Sequence, residues 1–350
     1  MSLLPQSAPI IFLIQNIGVI LHLMNYAQAA INIKRMKILG TGSVLPKKIV
    51  TNDDLAKFLD TSDEWISTRT GIRKRHVISD EYLEDLGAEA ALKALEMSGK
   101  SLEDIDLFIC SNVVNEYITP SLACVISEKI GLKCSCFDIN CACPGFLFAL
   151  DIAETYYRAG RVKNVLIVCA DEPTRMCDWS DRSTCVLFGD GAGAVVLGEG
   201  DNILATKTHS QPAVSKLWEK RTIEPTPYIT KTETSVPLQM MGRDVFKFAV
   251  TASTTEVVEL LDSIGMKKSD VDYYVVHQAN MRIIDAIKNF MGESDEKFPT
   301  NIADHGNSSS ASCSILLDEC NRRGLFKEGD ILAFSAFGAG LLSAAAIVRW

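Results

Sequence analysis

The sequence predicts an α/β fold, on three observations. Short apolar runs of strand length alternate with helix-length amphipathic segments. The alternation occurs twice, once in each half of the chain, with no low-complexity linker between the halves. Apolar residues make up 47% of the 350 and charged residues 23%, a balance that can fill a large core. Alternation of this kind implies parallel-rich sheets sandwiched by helices. The length suits one large domain or two fused halves.

Taken in order, residues 37–39 begin a strand that ends in a Gly40-Thr41-Gly42-Ser43 turn. Thr61-Ser62-Asp63-Glu64 is a capping box; it opens a helix carrying Trp65 and Arg69 that stops at Gly71. A helix over 89–97 precedes a strand over 105–110. Thr119-Pro120 reads as an N-cap followed by Pro at the first helical position, and Gly131 closes that helix. A buried strand over 136–140 runs into Cys143, and 145–153 is an apolar helix. In the second half a strand over 272–276 leads to His277 and a helix over 281–290. Asn307 precedes a helix over 309–322, and 331–337 is a strand ending at Gly338-Ala339-Gly340. Residues 201–241 are the least regular and read as a loop-rich insertion.

The formal charge of −9 argues against a general nucleic-acid binder. There are eleven cysteines, and Cys110, Cys124, Cys169, Cys185 and Cys320 lie in apolar stretches, where cysteine behaves as a small buried hydrophobe. That usage indicates a reducing, cytoplasmic setting without a disulfide framework. Residues 1–33 carry no charged side chain. Their apolar run over 10–24 is short for a membrane span and lacks a basic n-region. The segment 1–35 therefore reads as translated upstream sequence before Met36. A signal peptide cleaved after Ala27-Gln28-Ala29 is the competing reading.

Cys143 stands between a strand and a helix, on a sharp turn where free N–H groups and the helix dipole favour a thiolate. The expectation is a thiol pKa lowered by roughly one unit or more from about 8.5. The same N–H groups can stabilise an oxyanion on an attacked carbonyl. Two further segments put a reactive side chain at an element end: Val276-His277-Gln278-Ala279-Asn280 and His305-Gly306-Asn307-Ser308-Ser309. Singly, each has an ordinary explanation, a hydrogen-bonding His or a plain turn.

Together with Cys141-Ala142-Cys143-Pro144-Gly145-Phe146, and in this order, the three segments resemble beta-ketoacyl-acyl-carrier-protein synthase III, a branch of the thiolase fold. Further matches are Asp63-Glu64-Trp65-Ile66, Thr68-Arg69-Thr70-Gly71-Ile72-Arg73, Phe188-Gly189-Asp190-Gly191-Ala192-Gly193-Ala194, Asp244-Val245-Phe246-Lys247 and Ala336-Phe337-Gly338-Ala339-Gly340. The resemblance runs from Met36 to Trp350, apart from the irregular stretch. It implies two similar βαβαβ-type halves, 36–203 and 204–350, in a layered α-β-α-β-α sandwich, and a homodimer without a metal or bound cofactor.

The resemblance also implies the chemistry. Cys143 takes the acyl group from an acyl-CoA. Malonyl thioester on acyl carrier protein then loses CO₂, and the enolate attacks the acyl-enzyme. His277 and Asn307 stabilise the enolate as neutral donors, a role typically worth about 2.7–4 kcal/mol per donor. An Asn rather than a second His at the third position favours initiation over elongation. The backbone N–H groups of Cys143 and Ala339 form the oxyanion hole. Ala339 stands where the family usually has Gly and costs strain there if its φ is positive. Trp65 and Arg182 match positions that hold the CoA adenine, and Arg69 matches a phosphate contact. Lys247 and Arg282 match positions facing the acidic carrier protein. Pro144 replaces a small residue, and Trp218-Glu219-Lys220-Arg221 replaces a Gly-rich loop, which leaves room for a specialised paralogue in secondary-metabolite or polyketide synthesis.

Two rivals follow from the residues alone. Cys134-Ser135-Cys136 with Cys141-Ala142-Cys143 offers four thiols to a metal, though without the usual C-x2-C spacing. Cys143, His277 and Asn307 also occur in the order of a papain-type thiol hydrolase, though without its Cys-Trp motif.

Overall fold

The computed structural model describes residues 34–221, 227–228 and 234–350. The readings placed on 1–33, and on 222–226 and 229–233 of the irregular stretch, lie outside the described residues. In chain order the first half runs β1 (Arg35–Val44), β2 (Lys48–Thr51), α1 (Asn52–Leu55), α2 (Asp63–Thr70), β3 (Lys74–Val77), α3 (Leu83–Ser98), β4 (Leu107–Ser111), α4 (Leu122–Ile130), β5 (Ser135–Ile139), α5 (Gly145–Arg158), β6 (Val165–Asp171) and β7 (Gly191–Gly200). The second continues with β8 (Ile203–Ser210), β9 (Leu217–Lys220), β10 (Val236–Met240), α6 (Gly242–Ser263), β11 (Tyr273–Val276), α7 (Met281–Met291), α8 (Ile302–His305), α9 (Ala311–Arg322), β12 (Ile331–Gly338) and β13 (Leu342–Arg349).

The first main sheet has the order β1-β7-β6-β4-β5 and the second β11-β12-β13-β8. Read from β8 inward, the second repeats the first over four strands: β8, β13, β12 and β11 stand as β1, β7, β6 and β4 do. Helices α5 and α9 lie between the sheets and touch both, α3 and α4 cover the outer face of the first, and α6 covers that of the second. The result is the five-layer α-β-α-β-α sandwich, each apolar sheet face finding a helix. The core around the middle layer is sealed, with Phe146, Leu150, Leu316, Phe334 and Ala346 at 0% exposure.

Several sequence readings are corrected. The sheets are mixed rather than parallel-rich: β4 pairs parallel with β5 and β6, and β11 with β12, while β1·β7, β6·β7, β12·β13 and β13·β8 are antiparallel. Gly40-Thr41-Gly42-Ser43 is no turn but the centre of β1. Its glycines let α3 press on the strand, since a Cβ at Gly40 or Gly42 would stand 2.3 Å from the carbonyl oxygen of Ala94 or Ala90. The helix expected from Thr119 begins at Leu122 with Ser121 as N-cap, and Ser62 rather than Thr61 caps α2 through Trp65 N–H. The strand leading to Cys143 is not buried; β5 is a sheet edge and half-exposed. Cys124 is exposed, not buried. Part of the expected insertion is regular structure: β8 is a member of the second sheet, and β9 and β10 pair antiparallel.

Candidate active site

Cys143 is reached through a tight turn from β5. The Asn140 side-chain oxygen accepts the Ala142 N–H at 3.3 Å, and Ala142 carries a φ of +50°, a conformation that costs a non-glycine residue energy. Pro144 then caps α5, and Gly145 N–H returns to Ala142 O at 3.0 Å. The residue opens on a cavity, yet the atoms around its sulfur are dense. Burial, partly offset by a Ser309 hydrogen bond, pushes the thiol up to about 12. The expected lowering is thus reversed. A helix N-terminus is worth typically 0.3–1 kcal/mol, about half a unit or so, and does not offset that desolvation. The resting group is a thiol.

His277 follows the end of β11 and is 1% exposed. Its N–H donates to Ser335 O, its ring sits edge-on to Phe337 at 5.3 Å, and its Nδ1 lies 2.6 Å from Ser312 Oγ. Burial lowers its pKa to about 3, so the imidazole is neutral at pH 7. Asn307 sits in the segment before α9. Its backbone N–H donates to Leu187 O, and its side-chain oxygen accepts Ser309 N–H at 2.9 Å. That bond turns the amide NH₂ to the other side. Ser309 itself has a φ of +52°. The buried Asp171 carboxylate, at the end of β6, accepts Ser310 N–H and Oγ–H and so ties this segment to the first half.

Cys143, His277 and Asn307 line one cavity of about 140 Å³. Its walls include Phe188, Phe337 and the cross-strand pair Leu217–Met240 of β9 and β10. The stretch read as an insertion therefore helps to enclose these three side chains. Gly338 brings the end of β12 against Cys143: a Cβ there would lie 2.8 Å from the Cys143 nitrogen. Ala339 is not among the residues with positive φ, so alanine carries no steric cost at that position.

A second, open cavity of about 340 Å³ shares Gly242, Phe246 and Asn280 with the first and is rimmed by Arg69, Arg243 and Arg282. Sequence reading found Arg69 and Arg282 but missed Arg243; its only signal was a cation in the turn beside Gly242. The guanidiniums of Arg69 and Arg182 lie 4.5 and 4.9 Å from the Trp65 ring centroid. Arg182 is tethered to Asp60 at 3.2 Å. Trp65, Arg69 and Arg182 are thus together, with the indole covered by its own chain. Lys247 is elsewhere: it lines a cleft between α6 and β8, one helical turn from Arg243.

The rivals fare differently. Cys136 Sγ lies 3.5 Å from Cys124 Sγ, not beside Cys141 and Cys143, and among the described residues no group of three His, Cys, Asp or Glu could hold a metal. In a thiol hydrolase the Asn orients the His. Here His277 is held by Ser312, and the Asn307 oxygen is engaged by Ser309.

Comparisons with known proteins give the family. Residues 137–212 match the family 3-oxoacyl-[acyl-carrier-protein (ACP)] synthase III, and 261–350 match its C-terminal counterpart. The beta-ketoacyl-[acyl-carrier-protein] synthase III of Clostridium acetobutylicum is 42% identical over 320 residues, covering 90% of this chain and 98% of that protein. The crystal structure of the Aquifex aeolicus 3-oxoacyl-[acyl-carrier-protein] synthase III superposes with a TM-score of 0.83 at 39% identity, over 90% of this chain and 100% of that one. The priming beta-ketosynthase of the R1128 polyketide pathway superposes at 0.84 with 34% identity, over 90% and 96%. With that identity and coverage, the chain belongs to the beta-ketoacyl-[acyl-carrier-protein] synthase III family of thiolase-fold acyltransferases.

Proposed function

We propose that the protein condenses an acyl-CoA primer with malonyl-acyl carrier protein to give 3-oxoacyl-acyl carrier protein, the first condensation of fatty acid synthesis. The observation that carries this reading is one cavity lined by a thiol and two neutral amide- and imidazole-type donors, Cys143, Asn307 and His277. The Cys143 sulfur attacks the thioester carbonyl, and the CoA thiolate leaves with the thiol proton. The tetrahedral oxyanion is held by the N–H groups of Cys143 and Ala339. Malonyl thioester then loses its carboxylate as CO₂, and the electron pair moves to an enolate oxygen facing His277 and Asn307. The enolate carbon attacks the acyl-Cys carbonyl, the C–S bond breaks, and the Cys143 thiolate takes a proton from solvent to restore the resting thiol. The departing CO₂ supplies the driving electron pair, so the chemistry calls for no cofactor.

The Arg69, Arg243 and Arg282 rim suits the phosphates of CoA and of a carrier-protein arm, with Trp65 and Arg182 beside the adenine. Lys247, one helical turn along α6 from Arg243 and on the neighbouring cleft, offers a second basic point to an acidic carrier protein. The small inner cavity favours a short primer; a cavity of similar size, about 150 Å³, takes one benzene ring. The halves 36–203 and 204–350 act as a unit, one giving the nucleophile and the other the donors. A homodimer would cover the half-exposed β5 edge and Ile118, which is 95% exposed. All eleven cysteines are free, which fits the cytoplasm, and no described helix is long and apolar enough to cross a membrane.

The test is CO₂ release and 3-oxoacyl-carrier-protein formation from a panel of acyl-CoAs and malonyl-carrier protein. Acyl-CoA-dependent product supports the reading, and no CO₂ with any primer refutes it. Likeness to the R1128 priming enzyme supports a second reading, the same chemistry in a polyketide pathway. A strong preference for a pathway-specific carrier protein would favour it.

A further inference from the structure

We infer that Ser312 is a positioning residue that fixes the tautomer of His277, so that its Nε2 carries the proton and presents N–H to the cavity. This rests on the proposed role of His277 as an enolate donor. Ser312 lies in the first turn of α9 and is 1% exposed, as is His277, so their contact is sealed from bulk water. Its Oγ is 2.6 Å from His277 Nδ1 and 3.4 Å from Gln278 N. A backbone N–H only donates, so at Gln278 the hydroxyl oxygen accepts. Its own hydrogen is left free to point at Nδ1, and with that hydrogen on it Nδ1 accepts and is unprotonated. The adjacent Cys313 thiol also approaches this hydroxyl, but sulfur is a weak acceptor beside an imidazole nitrogen.

A neutral imidazole carries one ring proton, so an occupied acceptor role at Nδ1 leaves the proton on Nε2. The other tautomer would aim a lone pair at the developing enolate and repel it. The choice matters because burial holds His277 neutral, and a second ring proton is not available to mask a wrong tautomer.

The test is a long-range ¹H–¹⁵N correlation spectrum of ¹⁵N-histidine-labelled protein. The chain has five histidines, and His277 is assigned by its loss in His277→Gln. The wild type should show His277 protonated at Nε2 and bare at Nδ1. Ser312→Ala should shift it towards the Nδ1-protonated form and slow condensation roughly tenfold or more, below the roughly 10²–10³-fold cost of deleting an oxyanion donor. Its Cys143 acylation should stay at the wild-type rate, which also reports that it folds. Ser312→Thr should restore both tautomer and rate. A wild-type His277 protonated at Nδ1 overturns the inference without any variant, as does a Ser312→Ala spectrum and condensation rate equal to wild type. Failure of the underlying reading looks different: His277→Gln would condense at the wild-type rate whatever the tautomer.

Discussion

Helices α5 and α9 are counterparts in the middle layer, and both start at the site, but the two starts are held in different ways. Ahead of α5, Cys143 is set by backbone: the Ala142 turn at φ +50°, Pro144 and the close approach of Gly338. Ahead of α9, Ser309 has nearly the same strained φ, +52°, yet there side chains do the holding. Ser309 N–H orients Asn307, Ser312 orients His277, and Asp171 anchors Ser310. A nucleophile must change partners during turnover, from proton to acyl group and back. Donors to an enolate must stay aimed while charge appears, and preorganisation is what makes them effective. The contrast suggests that disturbing the α9 side should damage condensation selectively, while disturbing Cys143 should end both half-reactions.

The sharpest break of that contrast is removal of a donor. His277→Ala or Asn307→Ala should each lower condensation by about 10²–10³-fold while self-acylation proceeds. Equal loss in both half-reactions, by stopped-flow acylation and CO₂ release, would erase the distinction. The next effect is pH. Because burial raises the Cys143 thiol to about 12, its thiolate fraction grows about tenfold per pH unit throughout the neutral and mildly alkaline range. Iodoacetamide modification of Cys143, read by mass, should therefore climb log-linearly from about pH 7 to 10 with no plateau. A plateau near pH 8 would restore the dipole-lowered thiol that the sequence suggested.

Smaller again is Asp171→Asn. It sets an amide NH₂ against the donor from Val113 or those from Ser310 and should cost about 1–3 kcal/mol in denaturant unfolding. Condensation should suffer more than acylation. The smallest effects are at the rim: Arg243→Ala or Arg282→Ala should raise KM for CoA and carrier-protein substrates a few-fold and flatten its salt dependence. An unchanged salt profile would remove the rim from substrate binding.

The three residues proposed to react were legible because each sits where the apolar pattern changes period, at the end of a strand or the start of a helix. Much else was not, for physical reasons. Gly40 and Gly42 look like turn formers, but their function is to admit α3, which no local window reveals. The strand β8 was hidden because, as a sheet edge, it carries Thr and Lys on half-exposed positions and His on an exposed one. The thiol pKa depends on atoms brought from Asp171, Ser309 and beyond, so the local helix-start signal gave the wrong sign. Ser309, Ser310 and Ser312 form part of an unremarkable serine-rich run until the fold brings His277 and Asp171 to them.

The central claim, that Cys143 carries the acyl group and the α9 side drives condensation, is tested most directly by intact-protein mass spectrometry. Wild type, Cys143→Ser and Asn307→Ala would each be incubated with acyl-CoA and then with malonyl-carrier protein. The account predicts an acyl adduct on wild type and Asn307→Ala and none on Cys143→Ser. The second addition should discharge the wild-type adduct and leave that of Asn307→Ala in place. An adduct on Cys143→Ser, or discharge of Asn307→Ala at the wild-type rate, would contradict it.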